Sequence, residues 1–143
     1  IRCAEGAALM AGARLEWRYF ESPTDNMIHN QALVELGREY LSLENIYEFE
    51  DYDQEIAYAS SDIGNVSHIC PTLYMEIGMD GAPDFEIHSK ESLKYVNSDY
   101  SNLLLLQVSR STACMALDLL LHPDQLERIR ETQSRNIQEY MER

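Results

Sequence analysis

The sequence predicts an α/β fold, and three observations carry that prediction. Residues 13–21 alternate apolar and charged side chains, with Leu15, Trp17 and Tyr19 set against Arg14, Glu16 and Arg18. A period of two marks a strand with one covered face. Residues 72–78, directly after Pro71, form a second strand-like run rich in apolar and β-favouring side chains. Stretches with apolar residues three and four apart separate and follow these runs, and that spacing belongs to helices with one covered face.

From the beginning, residues 1–11 read as an Ala-rich helix stopped by Gly12, since glycine adopts the left-handed conformation that ends helices. The strand 13–21 follows, then a turn cluster, Ser22-Pro23-Thr24-Asp25-Asn26. Asn30 has the side chain to cap a helix over 31–43, whose apolar face is Leu33, Leu36, Tyr40 and Leu43. Residues 44–55 hold six acids and no base, interleaved with Tyr47, Phe49 and Tyr52. A run of this kind reads as a solvated loop. A calcium site is the sharper alternative, but the spacing fits no EF-hand loop and no glycine makes the turn.

Ser60, Ser61 and Asp62 can open a short helix that runs through Ser67. The strand 72–78 comes next, then a turn at Gly81-Ala82-Pro83 and a short extended piece at 85–87 before His88-Ser89. Ser98 or Asp99 can cap a long helix whose face carries Leu103, Leu106, Ala113, Leu117 and Leu120, which predicts a well-buried element. His122-Pro123 ends it, and Pro123 suits the first turn of a last helix with Leu126, Ile129, Ile137, Tyr140 and Met141 on one side.

Composition narrows the function. The chain has 143 residues and a net charge of −14, from 25 acidic and 11 basic side chains. A field of that sign repels nucleic-acid backbones and anionic lipid, so no nucleic-acid partner is expected. No uninterrupted apolar run approaches the length that crosses a bilayer, so no membrane role is expected either. Cys3, Cys70 and Cys114 are odd in number and far apart, which gives neither a disulfide framework nor a paired-cysteine metal knuckle and fits a reducing cytoplasm. Cys114, inside an apolar helical pattern, is expected to pack as a small hydrophobe.

Residue types and spacing alone leave the chemistry open. His29, His68, His88 and His122 form no recognised metal spacing, and the sequence contains no HExxH, GxSxG, GxGxxG or phosphate-loop pattern. His68 is expected to pack or to face solvent. Ser60, Ser61 and Asp62 have two readings. They cap the helix, or they help its N-terminal N–H groups hold an anionic substrate group.

The run from Ser60 to Thr72, SSDIGNVSHICPT, resembles a segment of the co-catalytic zinc peptidases (peptidase family M-twenty). That family includes aminoacylases, carboxypeptidases and p-aminobenzoyl-glutamate hydrolase. Its members carry a similar Ser-Ser-Asp-x-Gly-x-Val segment ending in a proline, and a His followed by Ser or Thr some residues later. Here that pair is His88-Ser89. Residues 2–12 resemble a helix of the family's lid domain, 26–36 the return into its catalytic domain, and 97–121 with the following Pro-x-x-Leu its closing helices.

The resemblance implies the C-terminal half of a catalytic domain, a mixed sheet flanked by helices, over 26–143. Residues 1–25 would be a helix–strand remnant of the α+β lid or dimerisation domain. It implies hydrolysis of amide bonds in N-acyl amino acids or small peptides, two zinc ions in the intact protein, and homodimers through the lid. His88 would ligate one metal ion, the alternative being a solvated loop histidine, and Ser60, Ser61 and Asp62 would contact substrate. The family's other metal ligands and its general base, a glutamate, would precede Ile1. The chain by itself is therefore expected to hold no catalytic residue and to be inactive. A binding or assembly module that kept the scaffold without the chemistry is the alternative.

Overall fold

The computed structural model describes residues 1–50, 61–79 and 88–142. Among the described residues, α-helices run in the order α1 (Arg2–Ala11), α2 (Gln31–Leu43), α3 (Ile63–Ser67), α4 (Asp99–Leu121) and α5 (Pro123–Met141), with a 3-10 turn at Ser92–Lys94. The local signals place the helix ends. Gly12 sits at φ 62° and stops α1. The Asn30 side chain accepts from the Leu33 N–H at the start of α2, and Ser98 from the Ser101 N–H at the start of α4. Pro123 opens α5.

Among the described residues there is no β-sheet, and this overturns the expected α/β fold with its mixed sheet and its helix–strand lid remnant. The period-two pattern does shape the backbone locally. In the first run Arg14 pairs with Glu16 at 3.1 Å, and Trp17 meets Tyr19 edge-on with ring centroids 5.5 Å apart. Both contacts join side chains two residues apart, as on one face of an extended chain. In the second run Leu73, Met75, Ile77 and Met79 are half-buried, while Tyr74, Glu76 and Gly78 are exposed. A strand, however, is defined by the neighbour with which it exchanges backbone hydrogen bonds, and no two described runs form such a ladder. The turn and extended piece expected at 81–87 lie outside the described residues, as does the second part of the acidic run, 51–55.

The core forms where α2, α4 and α5 meet, around Ala32, Leu33, Leu36 and Ile129, with Tyr40, Leu73, Met115 and Leu119 packed against it. Leu41 is buried on α2, whereas Leu43, expected on the covered face, is 71% exposed. Polar ties fix the packing. The Ser111 hydroxyl donates to the Tyr40 carbonyl and the Gln107 amide to the Glu44 carbonyl, so α4 side chains satisfy carbonyls at the end of α2. Arg110 bonds the Glu44 carboxylate, and Arg128 of α5 pairs with Glu35 of α2 at 2.7 Å.

The extended run lies against α2 at Gly37, where an added Cβ would come within 2.8 Å of Leu73 Cδ2. That neighbour is the end of a flexible side chain, and alanine gains about 1 kcal/mol over glycine inside a helix. Gly37→Ala is accordingly expected to change stability by less than about 1 kcal/mol in urea unfolding, the helix gain offsetting the displaced methyl group. A loss well beyond that would show that Leu73 has nowhere to move.

α4 departs from expectation in the side it buries. Its covered stripe is Leu104, Val108, Ser111, Met115 and Leu119. The stripe read from the sequence points away from the core, with Leu106 61% and Leu120 78% exposed. Cys114 is exposed as well, rather than packed. Only 11% of the helix's most apolar stretch is buried, and by length and composition alone it could cross a membrane. The cause is that α4 is apolar nearly all round, so period alone does not choose its inner side.

Candidate functional site

The motif at 60–72 folds as α3 and the extended chain after it. Ser60 lies outside the described residues. Ser61 is exposed, and its Oγ accepts from the Ile63 N–H at 3.3 Å. Asp62 is exposed at the N-cap position but makes no side-chain capping bond. α3 is only five residues long, so few peptide dipoles align toward the end that carries these residues.

The rest of the motif does something the sequence did not reveal: it grips residues 23–30. The Asn65 amide donates to the Pro23 carbonyl at 3.2 Å and to Asp25 Oδ2 at 2.8 Å, and its oxygen accepts from the Asp25 N–H. Gly64 lets the Asp25 backbone approach so closely that a Cβ would overlap the Asp25 carbonyl oxygen. The Ser67 hydroxyl accepts from the Ile28 N–H at 2.8 Å and donates to the Gly64 carbonyl. His68 packs, as expected: Nε2 lies 2.9 Å from the Asn26 carbonyl oxygen, and the ring meets Tyr140 edge-on at 5.0 Å.

Behind this clamp sits a buried polar hub. Asn30 and Ser67 are fully buried. The Asn30 amide donates to the Ile129 carbonyl at 2.9 Å and to Gln133 Oε1 at 3.2 Å, while its oxygen caps α2. The Gln133 amide donates onward to the Ser67 carbonyl, and the Asn136 amide to the His29 carbonyl at 2.7 Å. Among the described residues no buried side-chain nitrogen or oxygen lacks a partner. A polar network satisfied to this degree rigidifies a core, and nothing in it is left over to hold a ligand.

His88 is exposed on the turn that leads into Ser92–Lys94. The turn is held by its serines, since Ser89 Oγ accepts from the Ser92 N–H and the Ser92 hydroxyl donates to the Ser89 carbonyl at 2.7 Å. Among the described residues no three of His, Cys, Asp or Glu come close enough to hold a metal ion. The described residues thus assemble no zinc site, and a single imidazole does not hold zinc tightly.

A separate polar cluster sits at the α4–α5 elbow. Asp118 pairs with His122 Nδ1 at 2.7 Å and accepts from the Gln125 amide at 3.0 Å. It also accepts from Tyr40, whose hydroxyl pKa is raised, by burial first and then by the Asp118 carboxylate. The cluster joins α2 to both helices of the elbow, and its geometry is that of a brace.

Comparison with known proteins adds a class. The chain is distantly similar to a peptidase, and the likeness runs along almost all of it. That protein is human Xaa-Arg dipeptidase, 29% identical over 96% of this chain. The chain spans 31% of the dipeptidase's length. No family model matches the sequence, and no solved structure matches the fold.

Proposed function

We propose that this chain is part of a metal-dependent amide hydrolase of dipeptidase type, the part that brings one metal ligand, His88, and the substrate-facing residues Ser60, Ser61 and Asp62. The observation that carries the reading is the likeness to a dipeptidase along 96% of the chain. The motif at 60–72 and the His88-Ser89 pair support it from within the sequence. In this reading residues 1–25 belong to a lid through which two copies pair, and 26–143 to the catalytic domain. The parent holds two ions, usually zinc, whose chemistry is to lower the pKa of a bound water. This chain's contribution is His88, carried on a turn pinned by Ser89 and Ser92 and open to solvent. The substrate is a small amide or dipeptide in the cytoplasm. The 143 residues alone do not turn over substrate.

The test is metal analysis and dipeptide hydrolysis with the protein expressed from its complete reading frame. His88→Ala is expected to lower bound metal and to reduce kcat/KM by roughly 100-fold or more, beyond what losing a group that merely orients a ligand costs. Full metal content and full rate in that variant would refute the assignment. The absence of a three-ligand cluster among the described residues favours a second reading, a non-catalytic binding or assembly module. A complete protein that neither binds zinc nor cleaves dipeptides would establish it.

A further inference from the structure

Residues 1–22 leave the helical core as an arm. Among the described residues α1 packs on no other helix, and every hydrogen bond, ion pair and ring contact of the arm joins two of its own residues. All of these residues are exposed except Ala8 and Leu15, which are half-buried. A segment with no packing of its own takes its direction from the backbone where it joins the rest, and a free junction there is a hinge. The junction is residues 23–28, and it is not free. The Ser67 hydroxyl accepts from the Ile28 N–H, and His68 Nε2 lies against the Asn26 carbonyl. Outside these two ties, Asn65 uses its whole amide: it donates to the Pro23 carbonyl and to Asp25 Oδ2, and accepts from the Asp25 N–H. Among the described residues no other side chain is bonded to residues 23–25. α3 is itself fastened to α5, by the Gln133 amide on the Ser67 carbonyl and by the ring contact of His68 with Tyr140. A continuous line of contacts therefore runs from α5 through α3 to Pro23, whose ring fixes its own φ and restricts the residue before it.

We propose that Asn65 is a positioning residue that turns the junction at 23–25 from a hinge into a fixed joint, and so sets where residues 1–22 stand relative to the helical core. The consequence for catalysis rests on the dipeptidase reading, in which residues 1–25 belong to the lid. The joint then fixes how the lid approaches the part of the chain that carries His88. The inner ties do a different task. Ser67 and His68 hold residues 28 and 26, on the core side of the junction, and both also anchor α3. Ser67 is fully buried and shares the polar hub with Gln133, so losing it loosens the core. Asn65 is half-buried and its side chain bonds only the junction, so losing it frees the arm and leaves the core in place.

The experiment measures distances between pairs of spin labels in the chain with Cys3, Cys70 and Cys114 replaced by serine. One pair spans the joint, Met10→Cys with Glu139→Cys, and a control pair lies within the core, Ser109→Cys with Glu139→Cys; all three positions are exposed. The joint pair is expected to give one narrow distance. Asn65→Ala is expected to widen that distribution at least roughly twofold, as for an arm on a flexible linker, and to leave the control pair unchanged. Asp25→Ala spares the Asn65 bond to Pro23 and is expected to widen it less. A joint pair already broad with Asn65 in place overturns the proposal, as does a width that Asn65→Ala does not change. Widening of the control pair as well would show a general loosening of the core and overturns it too. In the protein from the complete reading frame, Asn65→Ala is expected to lower kcat/KM at least roughly tenfold with bound metal unchanged, since small displacements at a reacting centre are costly. A widened joint with full kcat/KM overturns the link from joint to catalysis. A widened joint in a complete protein that cleaves no dipeptide fails the peptidase reading alone.

Discussion

Gly64→Ala is expected to destabilise the chain by about 3 kcal/mol, the upper part of the range for overpacking a filled site. The added methyl group would overlap the Asp25 carbonyl oxygen, and the next nearest atoms are also main-chain atoms of residues 25 and 26. Backbone held on both sides cannot step aside as a leucine end does at Gly37, so one substitution should be costly at Gly64 and nearly neutral at Gly37. Relief would require the 23–30 segment to leave α3, with loss of the Asn65 bonds to Pro23 and Asp25 and of the Ile28 N–H bond to Ser67. Urea unfolding with a fluorescence readout from Trp17 and the tyrosines gives the number. A loss below about 1 kcal/mol would mean that the close approach is not maintained in solution.

Asn30→Ala is expected to cost about 4 kcal/mol, a large share of the roughly 5–15 kcal/mol that holds a domain together. One part, about 1 kcal/mol, is the lost cap on α2. The larger part comes from Gln133 Oε1 left without its donor in a dry interior, at roughly 1–3 kcal/mol, while the Ile129 carbonyl loses a second donor and keeps its helical one. Asn30→Asp separates the two contributions. It keeps an oxygen for the Leu33 N–H but replaces the donor by a carboxylate that faces the Ile129 carbonyl and Gln133 Oε1. If the hub dominates, Asp is as damaging as Ala; if the cap dominates, Asp is close to neutral.

What was legible in the sequence follows the range of the interaction. Gly12, Asn30, Ser98 and Pro123 act within one helical turn, and all four mark ends where the structure has them. The period of 72–78 matches its alternation of half-buried and exposed residues, whereas in 13–21 Trp17 and Tyr19 are exposed and no covered face forms; period says nothing about a neighbouring strand, and the sheet inferred from it is not there among the described residues. α4 was readable as a helix and misread as to its side, because Leu103 and Leu104 are equally apolar and only the neighbours decide between them. The clamp around 23–30 was out of reach, since each of its bonds joins residues about 40 positions apart. A signal did exist in Ser67 and Asn65, polar residues beside a glycine in a helix too short for solvent alone to justify. For the candidate site, the resemblance pointed to His88, Ser61 and Asp62; they lie exposed with no second ligand gathered among the described residues.

The separation of Asn30 from Gln133 along the chain, 103 positions, has a consequence for biosynthesis. At about 5–20 residues per second a ribosome needs roughly 5–20 s to travel from one to the other. Throughout that interval the Asn30 amide, the α2 start and the clamp segment have emerged without the helix that completes them. Nascent chains of this protein should therefore stay sensitive to protease, and open to chaperones, until the second half of α5 has left the exit tunnel.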